Sequence, residues 1–151
     1  MNIRPITKDD FTDVLRLINE LALFEKEPEA VAITVDELSK DYDNGLFNCL
    51  IATLNETVVG MALYYNRYST WKGKTIHLED LIVTKSARGK GIGKALLDSL
   101  IAIAKNEGVR RLEWCVLDWN TNAIAFYEKT GATILKDWYL VQMDESTIKN
   151  Y

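Results

Sequence analysis

The spacing of apolar and polar residues predicts two helices near the start of the chain. After a short apolar run, "NIRPI", apolar residues recur every three or four positions through "TKDDFTDVLRLINELALF", which places them on one face of a helix. A second, shorter helix is predicted to begin at "TVDELSKDY". Thr7 with Asp10, and Thr34 with Glu37, have the spacing of capping boxes. We therefore expect a strand followed by two capped helices.

The middle of the chain contains three runs with strand character. The segment "LFNCLIATLNETVVGMALYY" is two apolar runs on either side of Asn55 and Glu56, as expected of a hairpin. A third run, "KTIHLEDLIV", follows an aromatic loop. Three consecutive strands are therefore predicted.

The second half returns to alternating helices and strands. The clearest helix is "IGKALLDSLIAIAKNEG", which ends at Gly108. A strand is predicted at "RRLEWCVL", and a helix that ends at Gly131 is predicted at "NTNAIAFYEKTG". One or two closing strands are predicted in "ATILKDWYLVQM". The resulting order is β-α-α-β-β-β-α-β-α-β-β. This order predicts an α/β fold with a mixed central sheet and helices on both faces. Since no repeat or linker interrupts it, we expect one domain over residues 1–151.

Composition narrows the class of protein. The 151 residues are 48% hydrophobic and 26% charged, with a formal charge of -4, which argues against nucleic acid as the main partner. No apolar run approaches the roughly 20 residues of a membrane span. The N-terminus lacks the pattern of a secretory signal, so a cytoplasmic location is expected. Cys49 and Cys115 each lie in an apolar run without metal-ligand spacing, so we expect buried free thiols and no metal site.

A glycine-rich, basic segment, "SARGKGIGKA", stands directly before the clearest helix. Glycines let a ligand approach the backbone, and a helix N-terminus offers unpaired N–H groups to an anion such as phosphate. A Walker loop is disfavoured because Ala95 follows Lys94, where the Mg²⁺-binding hydroxyl is required. A dinucleotide fingerprint is also disfavoured, because Lys94 occupies the place of the third glycine.

The pattern R-x-x-G-x-G at residues 88–93 resembles the pyrophosphate loop of the GNAT superfamily of acetyl-CoA-dependent N-acetyltransferases. The order of the other motifs is similar to the spermidine/spermine branch and its thialysine-acetylating relatives, in the stretches "LALFE", "YYNRYSTWKGK", "LEDLIV", "ARGKGIG" and "WNTNAIAFYEKTGA". This resemblance covers residues 4–143. It implies the GNAT fold, acetyl-CoA as cosubstrate, transfer of acetyl to a primary amine of a small cationic acceptor, and a homodimer.

The resemblance also implies the residues that hold acetyl-CoA. They lie at the end of a strand, in the glycine-rich loop and at the start of a later helix: Leu81, Ile82, Val83, Arg88, Gly89, Lys90, Gly91, Ile92, Gly93, Lys94 and Asn120. From the residues alone, the loop is also consistent with a solvated basic turn. Asn120 also has the position of a helix N-cap.

Two residues carry the chemistry that the resemblance implies. Glu79 matches the glutamate that accepts the amine proton, directly or through water, and Tyr127 matches the acid that protonates the departing thiolate. Strict alternation would place His77 and Glu79 on one face of the strand and Asp80 on the other. The alternatives are a surface salt bridge for Glu79, a core aromatic for Tyr127, a structural role for His77, and either packing or substrate contact for Asp80.

Acidic and aromatic residues suggest the acceptor. Phe24 and Glu25 match the polyamine-contacting pair of the family, with Glu79 and Asp118 as further candidate substrate contacts. The segment "EKEPEA" departs from the polyamine enzymes by placing Lys26 and Pro28 among the acids. Two other functions stay open, namely a transferase acting on protein or peptide amines and a module that binds acetyl-CoA without turnover.

Overall fold

A five-stranded mixed sheet forms the frame of this computed structural model, which describes residues 1–151. Its strands are β1 (Asn2–Pro5), β2 (Asn48–Leu54), β3 (Thr57–Ser69), β4 (Gly73–Val83) and β5 (Leu112–Glu113). They lie in chain order across the sheet. The first four strands are antiparallel, and β5 pairs parallel to β4. The predicted mixed sheet is confirmed.

Helices cover both faces of this sheet. They are α1 (Phe11–Phe24), α2 (Val35–Asp43) and α3 (Ile92–Asn106). Met61 of β3 belongs to the buried cluster that contains residues of α1 and α2. The preceding residue, Gly60, faces Leu96 of α3 instead. Because successive residues of a strand point to opposite faces, α1 and α2 lie on one side and α3 on the other, as predicted.

Local signals in the sequence account for several boundaries. Asp10 accepts a hydrogen bond from the backbone N–H of Thr7 at 2.7 Å, and Glu37 accepts one from that of Thr34 at 2.9 Å. Asn55 and Glu56 adopt φ values of 47° and 65°, the left-handed pair that a two-residue hairpin turn requires. Both capping boxes and the hairpin are therefore confirmed.

Gly60 marks the tightest packing between β3 and β4. A Cβ built at this position would lie 2.8 Å from the carbonyl oxygen of Ile82 and 3.3 Å from a methyl of Leu96. The first contact is with backbone, which cannot rotate away. Only glycine therefore allows the two strands to approach under α3 at this point.

The chain divides into two compact units, Met1–Trp114 and Cys115–Tyr151, and the second contains two helices and no strand. These are α4 (Thr121–Lys129) and α5 (Glu145–Asn150). The predicted closing strands are wrong, because residues 132–143 form no strand. Their apolar side chains are largely exposed, Tyr139 at 90% and Val141 at 88%, and an apolar pattern forms a strand only where a sheet edge supplies hydrogen-bond partners.

The cysteines differ from each other. Cys49 is a buried free thiol, as predicted. Cys115 is exposed, which corrects the prediction, because β5 ends at Glu113 and the residue lies beyond the sheet.

No helix of the structure has both the length and the apolar composition needed to cross a membrane.

Candidate active site

The glycine-rich loop leads directly into α3. Gly89 and Gly91 both have φ of 76°, a left-handed conformation that side chains disfavour. Gly91 is the N-cap residue of α3, and no side chain caps the helix there. A Cβ at either glycine would meet no protein atom within 4 Å. The loop is therefore open above its backbone, and the first turn of α3 is suited to an anion.

The basic residues around this loop differ in the groups that they contact. The Nε of Arg88 donates to the Val83 carbonyl at 2.9 Å, and its guanidinium lies 5.4 Å from the centre of the Phe24 ring. Lys94 forms a 2.6 Å ion pair with Asp98, which offsets part of its charge. Phe24, which the sequence predicts to contact the amine acceptor, thus lies against Arg88 of the glycine-rich loop.

Glu20 on α1 anchors the segment before the loop, a role that no motif in the sequence indicates. Its carboxylate accepts hydrogen bonds from Thr84 Oγ1 at 2.8 Å and from the Lys85 backbone N–H at 2.8 Å. Burial alone would raise the pKa of Glu20, but these bonds, with Arg16 and Arg88 nearby, lower it below its usual value. In the sequence, Glu20 is indistinguishable from any solvated helix residue.

A β-bulge in β4 changes which residues share a face. Leu63 pairs with Asp80 and Tyr65 with His77, so Glu79 lies within the irregular stretch of the register. Directly opposed residues share a face, as do Leu63 and Tyr65, two positions apart. His77 and Asp80 therefore lie on the α1 face together. The predicted strict alternation along β4 is wrong because a bulge inserts one extra residue.

A cavity of about 190 Å³ opens between the end of α1, the segment that follows it and β4. Its lining combines apolar and acidic residues: Ile18, Leu21, Ala22, Glu25, Glu27, Ala30, Val31 and Asp80. Lys26 ends α1 with φ of 67°, and the Glu27 N–H donates to the Ala22 carbonyl at 2.9 Å. The last turn of α1 has no basic residue, so its carbonyl end adds negative potential beside the cavity.

Asp80 and Glu25, two residues that line this cavity, have raised pKa values. Burial, together with the negative charges of Glu79 and Glu25, raises the pKa of Asp80 to about 7. Burial also raises the pKa of Glu25. A buried carboxyl group beside other negative charges is unfavourable when it is ionised, and a bound ammonium group would relieve this effect. Asp80, whose role the sequence left open, is therefore the central acidic group of the cavity.

Glu79 and His77 are neighbours at the edge of this region. The Glu79 side chain is 53% exposed, and its carboxylate lies 3.6 Å from Nε2 of His77, whose side chain is 11% exposed. The His77 ring packs against Tyr65, with centroids 5.1 Å apart. A ligand can thus reach Glu79 from solvent, and His77 is a neighbour that can carry a proton.

The second unit contains the remaining predicted residues. Asn120 caps α4, its side chain accepting from the Ala123 N–H at 3.3 Å, so the predicted N-cap is confirmed. Tyr127 is 8% exposed, and burial raises its pKa. Asp118 is exposed. The ligand-binding and catalytic roles predicted for these three residues stay predictions.

Comparison with known proteins places this arrangement in a family. Residues 11–132 match the Acetyltransferase (GNAT) family. The chain is 38% identical to a thialysine N-epsilon-acetyltransferase of Caenorhabditis elegans, over 97% of this chain and 93% of that protein. It is 37% identical to the mouse enzyme of the same name, over 89% of this chain and 85% of that protein. It is also 35% identical to human spermidine/spermine N(1)-acetyltransferase-like protein 1, over 97% of this chain and 23% of that protein.

Solved structures have the same fold. An integron cassette protein from the mobile metagenome of V. cholerae superposes with a TM-score of 0.80 at 24% identity, over 99% of this chain and 95% of that chain. A possible acetyltransferase from Clostridium difficile 630 superposes with a TM-score of 0.76 at 25% identity, over 95% and 96%. The family match and the identity to the curated relatives lead to one conclusion: the chain belongs to the GNAT acetyltransferase family and is an acetyl-CoA-dependent N-acetyltransferase.

Proposed function

We propose that the acceptor is a primary amine of a small cationic molecule: a polyamine, a diamine or a lysine-like amino acid. The observation that carries this proposal is the cavity at the end of α1, where Glu25, Glu27 and Asp80 adjoin an apolar wall. An ammonium group fits the carboxylates, and a methylene chain fits the apolar side. The thialysine and spermidine/spermine names of the relatives agree with this chemistry.

The donor site is proposed in the glycine-rich loop. The loop has open space beside Gly89 and Gly91, and no side chain caps α3. Backbone N–H groups of residues 89–94 therefore suit a pyrophosphate, with Arg88 and Lys90 adding positive charge. The backbone of Leu81, Ile82 and Val83 and the side chain of Asn120 complete the proposed set. Acetyl-CoA supplies an activated thioester when it is bound there.

Three tasks fall to this chain's own side chains. Asp80 and Glu25 hold the acceptor as an ammonium ion. Glu79 then takes one proton from that ammonium, which leaves a neutral amine with a lone pair for attack on the thioester carbonyl. Tyr127 donates its phenolic proton to the departing sulfur, and the second proton that the nitrogen loses as the amide forms replaces it on the phenolate through solvent. Since burial raises its pKa, Tyr127 is protonated at neutral pH, as an acid must be.

Asp80 is a second candidate for the base, because a pKa of about 7 suits proton transfer near neutral pH. Substitution separates the two roles. Losing the base lowers kcat, whereas losing a cation partner raises KM for the amine. We expect Glu79→Gln to lower kcat by roughly 100-fold, and Asp80→Asn to act mainly on KM. The reverse result would make Asp80 the base.

Thiol release with a panel of acceptors tests the proposed function. The panel contains spermidine, a simple diamine, thialysine, a monoamine of matched length and a lysine-containing peptide. We expect the small cations to be acetylated faster than the peptide. Faster turnover of the peptide would favour a protein acetyltransferase, and acetyl-CoA binding without thiol release would favour a non-catalytic module.

Tyr127→Phe tests the proposed acid. The ring is kept and only the hydroxyl is lost, so a tyrosine used for packing would lose about 1 kcal/mol of stability at most. An acid would instead lose roughly 100-fold in kcat with acetyl-CoA affinity unchanged. A more acidic leaving thiol should restore part of that rate. Turnover within about twofold of the parent would contradict the assignment.

We also propose that residues 1–151 act as one domain, that the enzyme is a homodimer and that it is cytoplasmic. The family match across residues 11–132 supports the proposal of one domain.

The dimer is proposed from an exposed apolar run that is suited to a second copy of the chain, formed by Trp138, Tyr139, Leu140 and Val141. Light scattering of the purified protein measures the oligomeric state, and a monomeric mass at micromolar concentration would contradict the dimer.

A further inference from the structure

The chain has a single histidine, and the mechanism above does not use it. His77 lies on β4 with its side chain 11% exposed. Its ring packs on Tyr65 at 5.1 Å between centroids. A phenylalanine would fill the same space without polar atoms, so the packing alone does not explain why an imidazole is present.

The two ring nitrogens have different surroundings. Nδ1 is buried and has no hydrogen-bond partner, a cost that an apolar ring would avoid. Nε2 lies 3.6 Å from the Glu79 carboxylate, slightly beyond hydrogen-bond length. A neutral imidazole has one N–H, and the carboxylate makes Nε2 the favoured place for it. The polar character of His77 is therefore directed at Glu79.

The bulge explains why Glu79 needs such a partner. Glu79 lies in the irregular stretch of the β3–β4 register, and its side chain is 53% exposed. An exposed glutamate samples several rotamers, and each reduces the time spent in the orientation that meets the acceptor. A donor on a rigid, buried ring would select one orientation.

We propose that His77 is a positioning residue that holds the Glu79 carboxylate toward the acceptor through Nε2–H, closing the remaining gap by a side-chain rotation of Glu79. His77 keeps its own proton and transfers none. This inference rests on the proposed role of Glu79 as the proton acceptor. Its consequence is that His77 affects kcat only through Glu79.

Three substitutions at position 77 test the role. His77→Phe keeps the ring and removes both nitrogens, and we expect kcat to fall about tenfold because the base is mispositioned. His77→Gln places an amide nitrogen near the position of Nε2 and should restore kcat to within about threefold of the parent. His77→Asn is the matched control, because its amide lies near the Nδ1 position and should not restore the rate. KM for the amine should change little in all three.

A double-mutant cycle with Glu79→Gln completes the test. In that background His77→Phe should have no further effect on kcat. An unchanged kcat in His77→Phe, an equal loss in both backgrounds, or equal rates for the Gln and Asn variants would each overturn the positioning role. If His77→Phe does not fold, as thermal unfolding would reveal, the comparison of Gln with Asn still decides. A parental kcat in Glu79→Gln alone would instead contradict the proposed base.

Discussion

The proposed donor loop, which is the glycine-rich segment before α3, and the proposed acceptor cavity at the end of α1 are built by different means. The loop uses backbone: two glycines at φ of 76° and the uncapped first turn of α3. The cavity uses side chains from α1, from the segment after it and from β4. Arg88 lies over the ring of Phe24, so the loop contacts the last residue of α1.

The difference shows what each ligand demands. A pyrophosphate is recognised by N–H groups and by close approach, which favours small residues and needs few side chains. An ammonium chain is recognised by desolvated carboxylates, and these raise one another's pKa until the cation arrives. The loop should therefore respond most to backbone changes, and the cavity most to changes of charge and pH.

Gly91→Val should give the largest effect in the donor loop. A β-branched residue at φ of 76° is strained, and acetyl-CoA affinity should fall on the order of 100-fold as the aligned N–H groups are lost. Gly45→Val is the matched control, since Gly45 has φ of 71° and equally open surroundings. Calorimetric titration of both variants makes the comparison. Equal affinity losses would mean that the effect is general strain.

Asp80→Asn should weaken amine binding and should also stabilise the folded protein at high pH. We expect amine affinity to fall about tenfold, the scale of a hydrogen bond to a charged group. Because the folded pKa is about 7 whereas an aspartate ordinarily has a pKa of 3.8, ionisation destabilises the parent as the pH rises between these values. The variant should therefore be more stable than the parent above pH 7, with the difference vanishing near pH 4, about the unfolded pKa.

The same carboxyl group should make amine binding depend on pH. The ammonium binds the ionised carboxylate, so parental affinity should fall as the pH is lowered through about 7. The neighbouring negative charges that act on Asp80 are those of Glu79 and Glu25, and burial also raises the pKa of Glu25. Thermal unfolding and amine titration at several pH values check both effects. A parental affinity that is flat between pH 6 and about pH 8 would contradict the assignment.

Glu25→Gln should have a smaller effect on acceptor choice. A partly exposed ion pair contributes on the order of 1 kcal/mol or less, so the apparent affinity for a dication should fall several-fold. A monoamine places no second ammonium group near this carboxylate and should change less. Steady-state KM for spermidine and for the monoamine measures the difference. Equal changes in KM for the two amines would contradict the assignment of Glu25 to the acceptor site.

Lys94→Ala should give the smallest effect and refine the description of the loop. Lys94 is already paired with Asp98 at 2.6 Å, and exposed charges are screened by salt. We expect acetyl-CoA affinity to fall only about twofold to threefold at moderate salt. A loss approaching that of Gly91→Val would mean that side-chain charge, rather than backbone, holds the pyrophosphate.

The sequence by itself determined the features that depend on neighbours along the chain. The capping pairs at Thr7 and Thr34, the hairpin at Asn55 and the glycine-rich entry to α3 are short-range signals, because caps, turns and left-handed glycines involve residues within a few positions. The motif order was also enough to place the chain in its family.

Only the tertiary structure decided which side chains meet. The bulge in β4 placed Asp80 with His77 on the α1 face, against the alternation that the sequence predicts, because a bulge depends on pairing with β3 rather than on β4 alone. Glu20, which anchors Thr84 at a sequence separation of 64 residues, carries no local signal. The raised pKa of Asp80 likewise arises from burial and from Glu25 on another element, since desolvation and charge proximity are properties of the folded chain.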